Sequence, residues 1–161
     1  MLRLARTATA MKLTTHFSII PVLVGNQTEA LTFYTEKLGL EKRTDMTFGP
    51  GLRLLTVASK GQLRPEIALI HPDNTHYDVQ HIKTVMAQRE QQAPWVFETD
   101  DCCRTYETLQ ARGVYFVCAP AKQFYGTEAM FVDPFGNAFL LLEASPRART
   151  MLKSRRVGRA A

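Results

Sequence analysis

The sequence has few of the residues that build covalent or metal-bound scaffolds. Three of its 161 residues are cysteines, Cys102, Cys103 and Cys118, and no pair has the Cys-x-x-Cys spacing. A disulfide-stabilised scaffold and a cysteine zinc site are therefore disfavoured, and a reducing compartment, the cytoplasm, is predicted. No stretch approaches the roughly 18 to 20 apolar residues that span a bilayer, so we expect a soluble chain without a membrane partner.

The common catalytic motifs are also missing. The sequence has no Ser-His-acid spacing, no Walker loop and no dinucleotide-binding glycine pattern. It contains four histidines, and His71 and His76 flank a turn-like loop. This pair is a candidate displaced metal site, although a loop of this composition is more often simply exposed to solvent.

Acidic residues are absent from both ends of the chain. Residues 1–15 carry three basic residues and residues 145–161 carry six, which leaves 11 of the 20 basic residues to face all 15 acidic ones. We interpret 145–161 as a basic flexible tail and predict no nucleic-acid partner. Residues 1–14 are interpreted as a leader or a misassigned start. Residues 1–10 have the composition of an organellar presequence, and a start at Met11 explains the same letters.

Two halves of the chain carry the same order of signals, 74 positions apart. In the first half an apolar strand (17–24) leads to Asn26 as N-cap and to a helical segment that stops at Gly39. In the second, residues 95–99 lead to Asp100 or Asp101 and to a helical segment that stops at Gly113. Three strand-like stretches follow each helix, so each half is predicted to be βαβββ.

A turn between the last two predicted strands is the most specific local motif. It consists of Asp133-Pro134-Phe135-Gly136-Asn137 and is followed by the apolar run 138–143. Proline presets the backbone at the second position of such a turn, and Gly or Asn accepts positive φ. The motif predicts a hairpin whose second strand closes the fold.

Together these motifs give the sequence a family resemblance. Residues 15–143 resemble the vicinal oxygen chelate superfamily, which groups glyoxalase I, extradiol dioxygenases, methylmalonyl-CoA epimerase, fosfomycin-resistance enzymes and bleomycin-binding proteins. The resemblance implies an α+β fold in which two βαβββ modules form an incomplete barrel around a central cup, in a homodimer. It implies one domain over 15–144, divided into module 1 (15–71), a linker (72–93) and module 2 (94–144). Val79, Ile82, Val85 and Met86 predict an amphipathic linker helix, either a connector or a flap over the cup.

Metal-using members of this superfamily place a His or Glu ligand on the first and last strand of each module. The corresponding positions here are Ile19, Ala68 or Leu69, Ala93 or Pro94, and Leu140. None of these side chains can coordinate a cation. The resemblance, with this departure, predicts a metal-free cup without a cofactor.

Without a metal, the cup is expected to bind a small aromatic or amphipathic molecule, in sequestration, resistance or secondary metabolism. The candidate ligand-binding residues are Trp95, Phe97, Arg53, Tyr125, Phe131 and Phe48. The alternative is an enzyme: an isomerase or lyase that moves a proton with Glu66 or Glu98, or a metalloenzyme such as a dioxygenase with His71 and His76 as displaced ligands. A third possibility is a cup filled by its own side chains and a role in association.

Overall fold

The computed structural model describes residues 18–74, 84 and 93–157. The leader, His76 and all of the predicted linker helix except residue 84 lie outside these residues. Within residues 18–74 and 93–157, eight strands and three helices follow one another. They are β1 (Ile19–Leu23), α1 (Gln27–Thr32, continued by a π-helical turn over Phe33–Lys37), β2 (Glu41–Thr47), β3 (Arg53–Ala58), β4 (Glu66–Ile70), β5 (Trp95–Glu98), α2 (Cys102–Ala111), β6 (Tyr115–Gln123), β7 (Gly126–Val132), β8 (Ala138–Ala144) and α3 (Pro146–Val157). A short 3₁₀ turn, Pro72–Asn74, follows β4.

Each half of the chain forms a four-stranded mixed sheet. The strand orders are β1-β4-β3-β2 and β5-β8-β7-β6. The first strand of each half pairs in parallel with the last, so that Ile19 lies opposite Glu66 and Trp95 lies opposite Phe139. The remaining pairs are antiparallel. This confirms the predicted α+β fold of two βαβββ modules, whose sheets do not close into a barrel.

Capping side chains begin the two main helices at the predicted positions. The Asn26 side chain accepts from the backbone N–H groups of Thr28 and Glu29, at 2.9 and 3.1 Å. In module 2 the cap is Asp101, which accepts from the Arg104 N–H at 2.8 Å. The two caps are therefore 75 residues apart, one more than the two terminating glycines. Module 1 has the longer helix, and its π turn contains the additional residue.

One hydrophobic core is shared by both modules. Strand alternation directs Val22, Leu55 and Leu69 of the first sheet and Phe131 and Phe139 of the second into it. Tyr34 of α1 is fully buried and meets the ring of Phe139 edge to face, with 6.1 Å between centroids. The modules therefore fold around common contacts instead of each burying a separate core.

A buried hydrogen-bond network also joins the modules. The Tyr34 hydroxyl donates to Asp133 Oδ2 at 2.8 Å, and the Asp133 side chain is in the predicted turn before β8. Asp133 Oδ1 accepts from the N–H groups of Phe135 and Asn137 at 2.9 and 2.8 Å. The Asn137 side chain donates to Asp133 Oδ2 at 2.6 Å and to the Leu23 carbonyl at 3.0 Å. The turn thus connects β8 with the end of β1.

The chain after β8 forms α3, where the sequence predicted a flexible tail. The Ser145 hydroxyl accepts from the Ala148 N–H at 3.3 Å, which caps the new helix. Arg149 then reaches Asp100 at 3.3 Å, near the start of α2. Both contacts involve residues of the first turn of α3. In the described part of the chain, no helix combines the length and apolar character needed to cross a membrane.

Candidate functional site: the cleft between the modules

A cleft of about 800 Å³ opens where the two modules meet. One wall is the β3–β4 loop (residues 59–65), the other is β5, and the base is formed by Ile20, Ile67 and Phe139. We call this space the junction cleft. Its volume falls within the range of roughly 300 to 1,000 Å³ that is typical of small-molecule sites.

Hydrogen bonds within the β3–β4 loop and to neighbouring segments fix its conformation. The Arg43 guanidinium of β2 donates to the carbonyl oxygens of Ser59 and Gln62, each at 3.2 Å. The Gln62 amide donates to the Pro65 carbonyl at 2.8 Å, and Arg64 donates to the Ser18 hydroxyl at 2.9 Å. Arg43 is therefore a positioning residue for this wall, which is largely preformed.

The β5 wall supplies aromatic and apolar surface. Trp95, Val96 and Phe97 all line the junction cleft, and Trp95 and Val96 are 36% and 52% exposed. The Phe97 ring also packs on Phe131 and Phe139, with centroids 6.0 and 5.5 Å apart. Phe97 thus links the open cleft to the aromatic core, which fixes its position.

A smaller pocket of about 180 Å³ lies next to the cleft. The two spaces share Ser59, Phe97 and Glu98. We call the smaller space the inner pocket. Its other lining residues are mostly apolar: Leu38, Leu40, Leu109, Phe131 and Leu141, with Thr99 and Thr105 as polar members.

The charges around the cleft are of both signs. Lys60 and Arg64 belong to the loop wall, whereas Glu98 stands at the end of β5 and borders both spaces. The site can therefore accommodate an apolar body together with polar groups, which is the chemistry of an amphipathic ligand.

Three of the sequence-predicted site residues, Trp95, Phe97 and Glu98, come together at the cleft, and Phe131 borders the inner pocket. Arg53 lies elsewhere, where its guanidinium makes two hydrogen bonds to Asp45 at 2.8 and 2.9 Å. The hydrogen bond from Arg53 lowers the pKa of Asp45 to about 2, and Asp45 in turn raises the pKa of Arg53. The Arg53 charge is thus already paired within the protein.

The remaining predicted residues that the structure describes are not in the cleft lining either, although Glu66 lies between two lining residues, Pro65 and Ile67. Tyr125 donates to Glu128 Oε2 at 2.6 Å, and this hydrogen bond raises the pKa of Tyr125. Phe48 is half-exposed in the β2–β3 loop. Glu66 Oε2 accepts from the Thr56 hydroxyl at 2.6 Å.

His71 Nδ1 accepts from the Asp73 N–H at 3.2 Å, and its predicted partner His76 lies outside the described residues. Within residues 18–74 and 93–157, no three His, Cys, Asp or Glu side chains are grouped as metal ligands. Three of the positions where the resemblance implies metal ligands are paired in the sheets: Ile19 lies opposite Glu66, Ala68 opposite Pro21 and Leu140 opposite Val96.

Sequence reasoning missed the polar loop wall. Lys60, Gln62 and Arg64 are in a segment that also contains Gly61, whose φ is +76°, and Pro65. A Gly- and Pro-containing polar segment between two buried strands does predict a loop. Its place beside β5 depends on packing between modules, which no local signal encodes.

Comparison with known proteins gives consistent matches over most of the chain. A model of the Glyoxalase/Bleomycin resistance protein/Dioxygenase superfamily matches residues 14–141. The uncharacterized protein YetH of Bacillus subtilis is 36% identical over 125 residues, which are 77% of this chain and 94% of YetH. The crystal structure of UcmS2 is 36% identical, covers 82% of this chain and 100% of its own, and has a TM-score of 0.72. TnmS3, an antibiotic binding protein from Streptomyces sp. CB03234, is 28% identical, with coverage of 82% and 98% and a TM-score of 0.66.

Proposed function

Because the chain belongs to the glyoxalase/bleomycin resistance protein/dioxygenase superfamily, we propose that it binds a small aromatic or amphipathic molecule in the junction cleft. The binding is metal-independent and acts in sequestration, resistance or secondary metabolism. The observation that carries the proposal is the cleft itself, a preformed space of about 800 Å³ with an aromatic wall facing a polar one. Such a combination is typical of small-molecule sites.

The two walls suggest the chemistry of the ligand. Trp95 and Phe97 offer surface for a planar apolar body, and such rings gain both burial and stacking energy. Lys60 and Arg64 offer hydrogen-bond donors and positive charge on the other side. A ligand with a flat apolar part and a polar or anionic substituent satisfies both walls.

The similarity to TnmS3 supports a binding role, since that protein is described as an antibiotic binding protein. Metal independence is supported by the chemistry of the side chains at the four family ligand positions. No side chain at these positions has a nitrogen, oxygen or sulfur atom: they are Ile19, Ala68 or Leu69, Ala93 or Pro94, and Leu140.

The test uses the only tryptophan of the chain, Trp95, as an intrinsic reporter. Metal-stripped protein is titrated with 8-anilinonaphthalene-1-sulfonate, an aromatic anion, while Trp95 emission is followed. We expect saturable quenching at one probe per chain, unchanged by added divalent metal. Absence of quenching, or quenching that requires a metal, would contradict the proposal.

A pair of variants locates the probe. Arg64→Ala removes a cation of the cleft wall, whereas Lys122→Ala removes a cation of β6 that is not in the lining set. An exposed ion pair contributes about 0.4 to 1 kcal/mol, so Arg64→Ala should weaken binding about two- to five-fold. Lys122→Ala should leave the dissociation constant unchanged. Equal effects of the two variants would place the probe elsewhere.

The proposal includes a homodimer. β6 is an edge strand of the second sheet, and its Tyr115 and Val117 are 70% and 53% exposed. Exposed apolar side chains on a long edge strand favour association with another chain. Light scattering should give twice the chain mass for the natural protein and a lower mass for Val117→Lys. A natural protein of single-chain mass would refute this part.

A second candidate function, a metal-independent isomerase or lyase step, is favoured by the position of Glu98 between the two spaces. A carboxylate at that point would meet a bound ligand and could accept a proton from it. The test is to incubate the protein with a compound that quenches Trp95 emission and to examine that compound by NMR for chemical change. Chemical change that disappears in Glu98→Gln favours the enzyme, and unchanged recovery favours binding alone.

A further inference from the structure

The inner pocket has the size of one substituted aromatic ring. Its volume is about 180 Å³. An engineered apolar cavity of about 150 Å³ is enough to bind benzene. Leu38 and Leu40 of module 1 and Leu109, Phe131 and Leu141 of module 2 supply its apolar lining. A ring bound there would contact both modules.

The polar side of this pocket is a pair of hydroxyl groups. Thr99 Oγ1 and Thr105 Oγ1 are 2.7 Å apart, and Thr99 Oγ1 is also 3.3 Å from the Asp101 carbonyl oxygen. When Thr99 donates its proton to that carbonyl, Thr105 must donate to Thr99, because each hydroxyl has one proton. The Thr105 oxygen then retains lone pairs for a donor in the pocket.

Glu98 also lines this pocket and brings a second acceptor group to it. An ionised carboxylate can only accept hydrogen bonds. Thr105 and Glu98 thus offer acceptors to a ring that carries a hydrogen-bond donor, and the Ser59 hydroxyl, which also lines the pocket, can donate or accept. A plain hydrocarbon ring would make no hydrogen bond with these acceptors.

We infer that the inner pocket binds a hydroxylated aromatic ring, with the phenolic O–H donating to Thr105. This inference rests on the proposed function, because the ring would be one end of the ligand that fills the junction cleft. It adds a ligand class: phenolic compounds are preferred over aromatic compounds of the same size that lack a donor.

The experiment compares phenol with toluene, which has the same number of non-hydrogen atoms and no donor. Dissociation constants are measured by NMR titration of the isotope-labelled full chain, and intermolecular NOEs are recorded from the ring to the Leu109 and Leu141 methyl groups. A net hydrogen bond of about 0.5 to 1.5 kcal/mol corresponds to a preference of about two- to twelve-fold. We expect phenol to bind more tightly by this factor.

Variants assign the preference to one atom. Thr105→Val removes the hydroxyl and should bring phenol to the affinity of toluene, whereas Thr105→Ser should retain the preference. Thr108→Val, at an exposed position of the same helix, is the matched control and should behave as the natural protein. Equal binding of phenol and toluene by the natural protein, a preference that survives Thr105→Val, or NOEs to other residues would overturn the inference.

The same samples separate this inference from the proposed function. If quenching of Trp95 by the anilinonaphthalene probe persists while phenol shows no preference, only the inner-pocket inference fails. If the natural protein shows no quenching at all, the proposed function fails.

Discussion

The hydroxyl of Tyr34 provides the sharpest test of how the two modules hold together. Tyr34 is fully buried, and its hydroxyl donates to Asp133 at 2.8 Å across 99 positions of sequence. Tyr34→Phe removes this donor and retains the ring, so the packing on Phe139 should survive. Asp133 is 2% exposed, so water cannot readily replace the lost donor.

The magnitude follows from the partner. A hydrogen bond to a charged group contributes about 1.5 to 3 kcal/mol, twice or more the value for a neutral pair. Asp133 Oδ2 would keep the Asn137 amide as a donor, which places the expected loss within this range. For a chain of this size the melting temperature should fall by about 3 to 12 °C.

The assay is urea unfolding followed by far-UV circular dichroism and by Trp95 emission. The midpoint should decrease at an unchanged slope, since the surface exposed on unfolding is the same. Tyr115→Phe, at an exposed tyrosine of β6, is the control and should change the free energy of unfolding by less than about 0.5 kcal/mol. A loss for Tyr34→Phe no larger than that of the control would refute the reasoning.

Three further perturbations test other parts of the structure. Hydrogen bonding from Arg53 lowers the pKa of Asp45 to about 2, so the ionised Asp45 stabilises the fold above the unfolded pKa near 3.8, and this stabilisation is lost as the pH falls through about 2. Asp45→Asn should therefore lose less stability than the natural protein between pH 4 and 2. The difference should be at most about 1 kcal/mol for this solvated pair, measured in acid titrations followed by circular dichroism. Arg43→Ala should weaken binding of the anilinonaphthalene probe at nearly unchanged melting temperature, because it removes the two hydrogen bonds that position the β3–β4 loop. Unaltered affinity would show that the loop keeps its conformation without Arg43. Gly126→Ala should lower the free energy of unfolding in urea by about 1 to 3 kcal/mol or more, since the new Cβ would collide with the backbone of β8. Gly25→Ala is the control, because its Cβ would meet only a side chain, at 3.6 Å. Equal losses for the two variants would contradict the predicted steric clash at Gly126.

Local signals were sufficient to predict the modules. Asn26, Gly39, Gly113 and the turn that begins at Asp133 are each decided by neighbours within a few positions, through capping, positive φ and turn chemistry. The repeat strengthens the prediction, because the same order of strand, helix cap, helix and terminating glycine occurs in both halves of the chain. This is why the succession βαβββ of each half could be predicted from the sequence, whereas the order of the strands within each sheet is seen only in the structure.

The candidate site could be predicted only in part, because it lies between modules. Trp95 and Phe97 were named from strand alternation, which gives a common face but not what lies opposite it. Alternation does not show what the Arg53 side chain contacts, and in the structure its partner is Asp45. The β3–β4 loop acquires its role only through long-range packing, which a reading of local segments does not contain.

The π turn in α1 explains how two helices of unequal length serve the same architecture. In an α-helix each residue advances the side-chain direction by about 100°, so one inserted residue would turn everything after it away from the sheet. Here the wider π turn over Phe33–Lys37 accommodates the extra residue, so the residues after it keep their side-chain direction. Leu38 and Leu40 therefore still reach the inner pocket, and the insertion leaves a local mark without changing the geometry downstream.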